Sequence, residues 1–239
     1  MLFTISVNPA KVLTKIADER ETNSLSSKLR KKRFIQFKNF VESYVSDKET
    51  NLKIIDIGGT PTIWENNLLW LKQLNSVKNI EITVANIKEY KSKHEVIKCV
   101  IADATNMQQF KDKEFDIVFS NSVIEHVGDY KEQTAMANEI LRIGKKYFVQ
   151  TPNYYFPVEP HFLFPFFQFM PLKLKVWLIT NFDLGWRKKT SNRETALMLV
   201  NSVKLLTKKE LMALFPGANV FEEKVFSLTK SFIMHGESP

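Results

Sequence analysis

From residue 52 onward the chain repeats one pattern: a short apolar run, a polar residue, a turn, and a helical segment. The runs "KIIDI" (53–57), "IEITVAN" (80–86), "EVIKCVIAD" (95–103), "FDIVFSN" (115–121) and "KKYFVQTPN" (145–153) read as five strands. Helical segments fall around Ile63 to Leu74 and over "DYKEQTAMANEILRIG" (129–144), where Asp129 and Glu132 stand at capping-box positions. Such alternation predicts an α/β fold whose parallel sheet is covered by helices on both faces. Near the end, "LTKKELMALFP" reads as a helix capped by Thr207 and Glu210 and stopped by Pro216-Gly217. The segment "NVFEEKVFSLTKSFIMH" (219–235) then reads as a hairpin. The expected architecture is a seven-stranded sheet, mostly parallel, with a C-terminal antiparallel pair.

The first four strands end in Asp56, Asn86, Asp103 and Asn121. In open α/β sheets, ligands bind outside the carboxyl ends of the strands. The first of these ends runs into "DIGGTPTIW", a turn with two adjacent glycines. Singly, each residue has a plain structural reading: a Gly-Gly turn, or an aspartate capping a helix. As an ordered series on successive strand ends, they read as contacts around one ligand. A nicotinamide-binding turn needs G-x-G-x-x-G and an acid about 20 residues on. Gly58-Gly59-Thr60-Pro61 lacks the later glycines, and the next strand ends in neutral Asn86.

The 239 residues, 44% of them hydrophobic, suffice for one sizeable core with additions. These are a helical extension over residues 1–50 and an aromatic-rich insertion over 151–200 within a domain spanning 51–239. A single cysteine, Cys99, excludes an intramolecular disulfide and a Cys-rich zinc site, which fits a reducing cytoplasm. The first twenty residues lack the basic start and continuous apolar run of a secretory signal. Phe162 to Ile179 is the most apolar stretch, but two prolines, a glutamine and two lysines interrupt it, so no membrane span is expected. The net charge of +8 fits either anionic partners or a lysine-rich solvated surface. Residues 8–50 read as helical, with Phe34, Phe37, Val41, Tyr44 and Val45 at helical spacing behind the basic run Lys28 to Arg33. That run reads as a solvated helix end or as a contact to a phosphate or membrane surface.

With "DIGGTP", "AN", "ADAT" and "FDIVFSNSVIEHV" after successive strands, residues 53–152 resemble the class I S-adenosylmethionine-dependent methyltransferases of the type 11 kind. The segments "TPNYYFPVEPHFLFP" and "LTKKELMALFP…SLTKSF" look like a bacterial subgroup associated with surface-polysaccharide synthesis. The resemblance implies a Rossmann-like fold and S-adenosylmethionine as cofactor. It implies that Asp56 fixes the loop or meets the cofactor's amino group, and that Gly58 and Gly59 admit backbone close to the methionine moiety, with Thr60 beside them. Asn86, followed by Ile87, stands where the family usually has an acid bonding both ribose hydroxyls. Asp103 would accept from the adenine amino group beside Ala104, and Asn121 with Ser122 would line the methionine end. Thr60 and Thr62 replace further glycines and Asn86 replaces the acid, departures that imply weaker cofactor binding. A non-catalytic, methyltransferase-fold binding or scaffold protein is therefore a second reading.

Methyl transfer from a sulfonium is an in-line displacement in which orientation supplies about 7–11 kcal/mol. An alcohol acceptor also needs a base, worth about 10²–10⁴-fold. His126, in "IEHV", and His161, in "FPVEPHFLFP", are the candidates; His94 reads as surface and His235 as unconnected with the site. The place after the fourth strand holds Asn121-Ser122 rather than paired carboxylates, so no metal is expected. It also lacks the Asp/Asn-Pro-Pro-Tyr/Phe pattern of nucleic-acid methylation. The insertion reads as a lid-like acceptor wall or as a small separate core. Arg187, Lys188, Lys189 and Arg193 read as phosphate contacts of a nucleotide- or lipid-linked substrate, or as a solvated charge run. The expected acceptor is a sugar, glycan or other small molecule; the alternative is a lipid or quinone-like acceptor with peripheral membrane contact.

Overall fold

The computed structural model describes residues 25–45, 50–74, 77–185 and 187–239. The expected helix over residues 8–24 and the segment 46–49 lie outside them. Helix α1 runs over Leu25–Val45. The described chain divides into two units. One holds the residues up to Lys38 with Tyr154–Val203; the other holds Asn39–Asn153 with Lys204–Pro239.

The larger unit is built on one sheet. Its strands are β1 (Thr50–Ile57), β2 (Val77–Asn86), β3 (Ile97–Ile101), β4 (Phe115–Asn121), β5 (Gly144–Pro152), β8 (Asn219–Val225) and β9 (Leu228–Glu237), in spatial order β3-β2-β1-β4-β5-β9-β8. The pairs from β3 through β5 are parallel; β9 joins β5 and β8 antiparallel. This is the Rossmann-like arrangement expected, with the C-terminal hairpin closing one side.

Six consecutive residues of β4 are buried, as a strand covered on both faces requires. On one face Val118 packs with Met136, Ala137 and Ile140 of α4 (Tyr130–Ile143). On the other, Phe119 meets the Trp64 ring edge-on at 6.0 Å and stacks on Phe148 at 6.0 Å. Each fully buried Leu, Ile or Phe contributes about 2 kcal/mol. Helix α4 begins at the capping box of Asp129 and Glu132, and α7 (Lys208–Leu214) at that of Thr207 and Glu210.

The helix expected around Ile63 to Leu74 is instead two short ones, α2 (Pro61–Glu65) and α3 (Leu68–Lys72). Pro61 starts the first, where its missing N–H is harmless. Asn67 interrupts the run because its side-chain amide donates to the Ile63 carbonyl at 2.7 Å. The end of α1 is anchored to the sheet. Phe40 packs on Phe148 and His235, and the Tyr44 hydroxyl donates to Asp116 at 3.1 Å. Burial and then the Asp116 charge push the Tyr44 phenol up to about 12.

The smaller unit has its own core. It contains β6 (Val158–Glu159), β7 (Phe164–Pro165), a 3₁₀ turn at Phe167–Phe169, α5 (Leu172–Asn181) and α6 (Arg193–Asn201). Phe162 stacks on Phe167 at 4.3 Å, and Val176, Ile179, Ala196 and Val200 pack around them. The Arg187 guanidinium lies 5.1 Å from the Phe162 ring centre.

Candidate cofactor-binding site

The parallel register brings the predicted strand ends to one edge of the larger unit. Ile57 pairs with Ala85 on one side and with Ser120 on the other, while Asn86 pairs with Ile101 and Asn121 with Gln150. The order of connection reverses between β1 and β4, the switch point where α/β sheets open a crevice. The Gly58-Gly59 turn leaves β1 at this point.

Two glycines are needed there for reasons internal to the chain. Gly58 has φ +77°, and a Cβ on it would stand 2.5 Å from a Val123 methyl. A Cβ on Gly59 would fall on the Asp56 carboxylate. The turn is therefore shaped around Asp56 and Val123, a nearer cause than the approach of a ligand inferred from sequence.

Asp56 is buried beneath the turn. Its Oδ2 accepts a 2.8 Å bond from Trp64 Nε1, and its Oδ1 is buried with no partner among the described residues. Burial pushes its carboxyl up to about 7, although the Trp64 bond pulls the other way.

Asn86 clasps the turn from β2. Its amide nitrogen donates to the carbonyls of Gly58 and Gly59, each at 2.9 Å. Its oxygen accepts from the Lys88 N–H at 3.0 Å. An acid here would set a carboxylate against two carbonyl oxygens, so the neutral amide suits this turn.

The remaining predicted residues stand along the same edge. Asp103 is exposed, and its Oδ1 accepts from the Thr105 N–H and hydroxyl at 2.8 and 2.7 Å. Ala104 beside it is buried in the core. Asn121 is half-buried at the end of β4. Ser122 has φ +56°, a left-handed backbone that a non-glycine residue adopts at a cost of about 1–3 kcal/mol. Its N–H and hydroxyl both bond buried Gln150, each at 2.9 Å. Thr60 is exposed at the start of α2 without capping it, and Ile87 is 73% exposed. Asp56, Gly58, Gly59 and Asn86 thus form one connected set. Asp103, Asn121 and Ser122 share its edge, Asp103 turned to Thr105 and Ser122 held by Gln150.

His126 is exposed on a 3₁₀ turn after β4, where its N–H donates to the Val123 carbonyl at 2.8 Å. His161 lies in the smaller unit. Its Nδ1 is 2.7 Å from Glu159 Oε1, while Glu159 Oε2 accepts the N–H groups of His161 and Phe162 at 2.8 and 2.7 Å. Glu159 is buried, so this carboxylate fixes the orientation of the ring through Nδ1.

Three residues beside the predicted ones in the larger unit escape the sequence reading, Trp64, Glu125 and Gln150, and in the smaller unit Glu159 does. Glu125 is fully buried, with Thr151 Oγ1 donating to its Oε2 at 2.9 Å and Lys204 N–H to its carbonyl at 2.8 Å. Glu125 and Glu159 each carry one usable signal, an acid inside an apolar or aromatic run.

A buried acceptor without a partner among the described residues, under a glycine turn at the switch point, fits a ligand that brings a donor or positive charge. S-adenosylmethionine carries both. Residues 58–148 match the family described as methyltransferase domain. An uncharacterized protein of Mycobacterium tuberculosis is 43% identical over 56 residues, 23% of this chain. The chain spans about a fifth of that relative's length, 19%. Among solved structures, the PH0226 protein of Pyrococcus horikoshii superposes with a TM-score of 0.52 at 16% identity, covering 91% of this chain and 94% of its own. The CMeT domain of the citrinin polyketide synthase gives 0.51 at 15%, covering 85% and 51%. The N-terminal domain of EvdMO1, solved with SAH bound, gives 0.50 at 13%, covering 85% and 80%. These likenesses are of fold. Over residues 58–148 the chain is similar to methyltransferase domains, and over most of its length it shares the fold of these three structures.

Proposed function

We propose that the chain transfers a methyl group from S-adenosylmethionine to an oxygen of a sugar, glycan or other small molecule in surface-polysaccharide synthesis. The observation that carries the transferase reading is the connected set Asp56, Gly58, Gly59 and Asn86 at the switch point, with Asp56 Oδ1 buried and without a partner among the described residues. When bound, the cofactor supplies an electrophilic methyl on a sulfonium. Asp56 would hold its amino group, Asp103 its adenine amino group, and Asn121 with Ser122 the methionine end. Exposed Ile87 offers an apolar face to the base.

An oxygen acceptor is favoured by the histidines. A hydroxyl must lose its proton as the new bond forms. Glu159 orients the His161 ring through Nδ1, as the carboxylate behind a general-base histidine does. His126, in the domain itself, is the second candidate. The polysaccharide context rests on the "TPNYYFPVEPHFLFP" and "SLTKSF" segments.

The test is transfer of a labelled methyl group to sugar nucleotides and to lipid-linked glycans. Methylated glycan supports the reading. Cofactor binding without transfer to either class would remove it and leave the binding-protein reading.

A further inference from the structure

We propose that the outer face of α5, with the aromatic turn before it, docks the protein on an anionic lipid surface. Helix α5 turns Val176, Leu178 and Ile179 into the core of the smaller unit. Its exposed residues mix apolar and polar side chains: Leu172, Leu174 and Trp177 are 49%, 41% and 52% exposed, with exposed Lys173 and Asn181 among them. Large apolar side chains exposed beside a lysine suit a helix that lies in an interface. Ten residues span about 15 Å, half the hydrocarbon thickness of about 30 Å, so the helix can lie in an interface but cannot cross.

The patch extends beyond the helix. Trp177 packs edge-on against exposed Phe182 at 5.4 Å. Before the helix, Phe166 and Phe169 are 56% and 45% exposed, and Lys175 Nζ ties their turn to α5 through the Gln168 carbonyl at 3.0 Å. Phe166 has φ +57°, a strained backbone for a phenylalanine that gains little burial in return. A surface that takes up the ring accounts for that strain.

Charge selects the occupant. Residues 154–203 carry six Lys or Arg (173, 175, 187, 188, 189, 193) against three acids (159, 183, 194), and Glu159 is buried. Lys173 is exposed between Leu172 and Leu174, and exposed Lys189 donates its N–H at 2.9 Å to Asp183, the residue after Phe182. Lys188 pairs with Asp183 at 3.1 Å, leaving the balance positive. Trp, Phe and Leu interleaved with lysines are the composition of an interfacial anchor. A second copy would bring the same cations to the same face and repel it.

Co-sedimentation of the full chain with vesicles tests this, using phosphatidylcholine alone and an equimolar mixture with phosphatidylglycerol. The chain pellets with the mixture at low salt and is released by high salt. Replacing Leu174→Glu and Trp177→Glu together lowers vesicle affinity about tenfold or more, with the thermal midpoint and calorimetric cofactor affinity unchanged. Should that variant fold poorly, Lys173→Glu with Lys189→Glu gives the same loss through charge alone. Retention in the supernatant with the anionic mixture overturns the proposal, as does equal pelleting of folded variants. A dimer that the Leu174→Glu/Trp177→Glu variant dissolves, without vesicle binding, assigns the face to a second copy and also overturns it. Docking stands apart from methyl transfer, so failure here leaves the cofactor site untouched.

Discussion

Trp64 Nε1 donates a 2.8 Å hydrogen bond to Asp56 Oδ2, and both residues are buried beneath the Gly58-Gly59 turn. The bond fixes one carboxylate oxygen and leaves the other, also buried, without a partner among the described residues. Replacing Trp64→Phe keeps the ring against Phe119 and removes only the donor. Cofactor affinity should fall about tenfold. The pH at which binding sets in should also rise, because the Trp64 bond is what lowers the Asp56 carboxyl. A calorimetric pH series reads both. An unchanged profile would make Trp64 a packing residue only.

Asp56 also sets a pH dependence of stability. Its carboxyl is raised from 3.8 to about 7 in the folded state. The folded chain thus binds more protons than the unfolded chain between these values, so stability falls as pH rises through the window and levels off above about 7. Asp56→Asn cannot ionise. At about pH 8 it should be more stable than the native protein by about 2 kcal/mol, with the advantage shrinking toward about pH 5. Thermal melts of both proteins across that range check the sign. The same variant should lose cofactor affinity.

Asn86→Asp separates two accounts of one position. If the residue served the ribose alone, an acid would tighten binding by charge-assisted bonds. The clasp on the Gly58 and Gly59 carbonyls predicts the opposite, since the variant loses two donors and faces two oxygens with a charge. Cofactor affinity should fall about tenfold and the thermal midpoint should drop. Tighter binding would refute the clasp.

Glu159→Gln tests the histidine dyad. The amide keeps the volume but offers one acceptor oxygen where the carboxylate serves His161 Nδ1 and two backbone N–H groups. Turnover should fall toward the level of His161→Ala, by about 10²–10⁴-fold, with cofactor affinity unchanged. His126→Ala, measured alongside, shows whether the base lies in the domain instead.

Arg142 secures the loop between β3 and β4. It bonds Glu139, Asp112 and the carbonyls of Phe110 and Met107 at 2.8–3.0 Å. Arg142→Met should destabilise the protein by about 2–3 kcal/mol, read from denaturant unfolding.

The sheet was legible because buried parallel strands are short apolar runs with polar ends. "FDIVFSN" marks β4 to the residue, and the two capping boxes mark α4 and α7. The insertion was not legible inside. Its dense aromatics carry neither a period of two nor one of 3.6, so β6, β7 and the turn of Phe166 follow from packing around Phe162. At the site, Asp56, Gly58 and Asn86 announce themselves by standing at strand ends. Their roles do not, because the partners are set by the fold. Trp64 looks like any core aromatic until its N–H meets Asp56. Glu159 stands out as an acid in an aromatic run, but its role shows only where three donors converge on it.

The central claim is a cofactor site assembled on the strand ends, and calorimetric titration of the full chain with S-adenosylmethionine tests it most directly. One site per chain is expected, with a dissociation constant of about 1–100 μM, weakened by each of Asp56→Asn, Trp64→Phe and Asn86→Asp. The absence of any binding heat at cofactor concentrations of about 1 mM would contradict it.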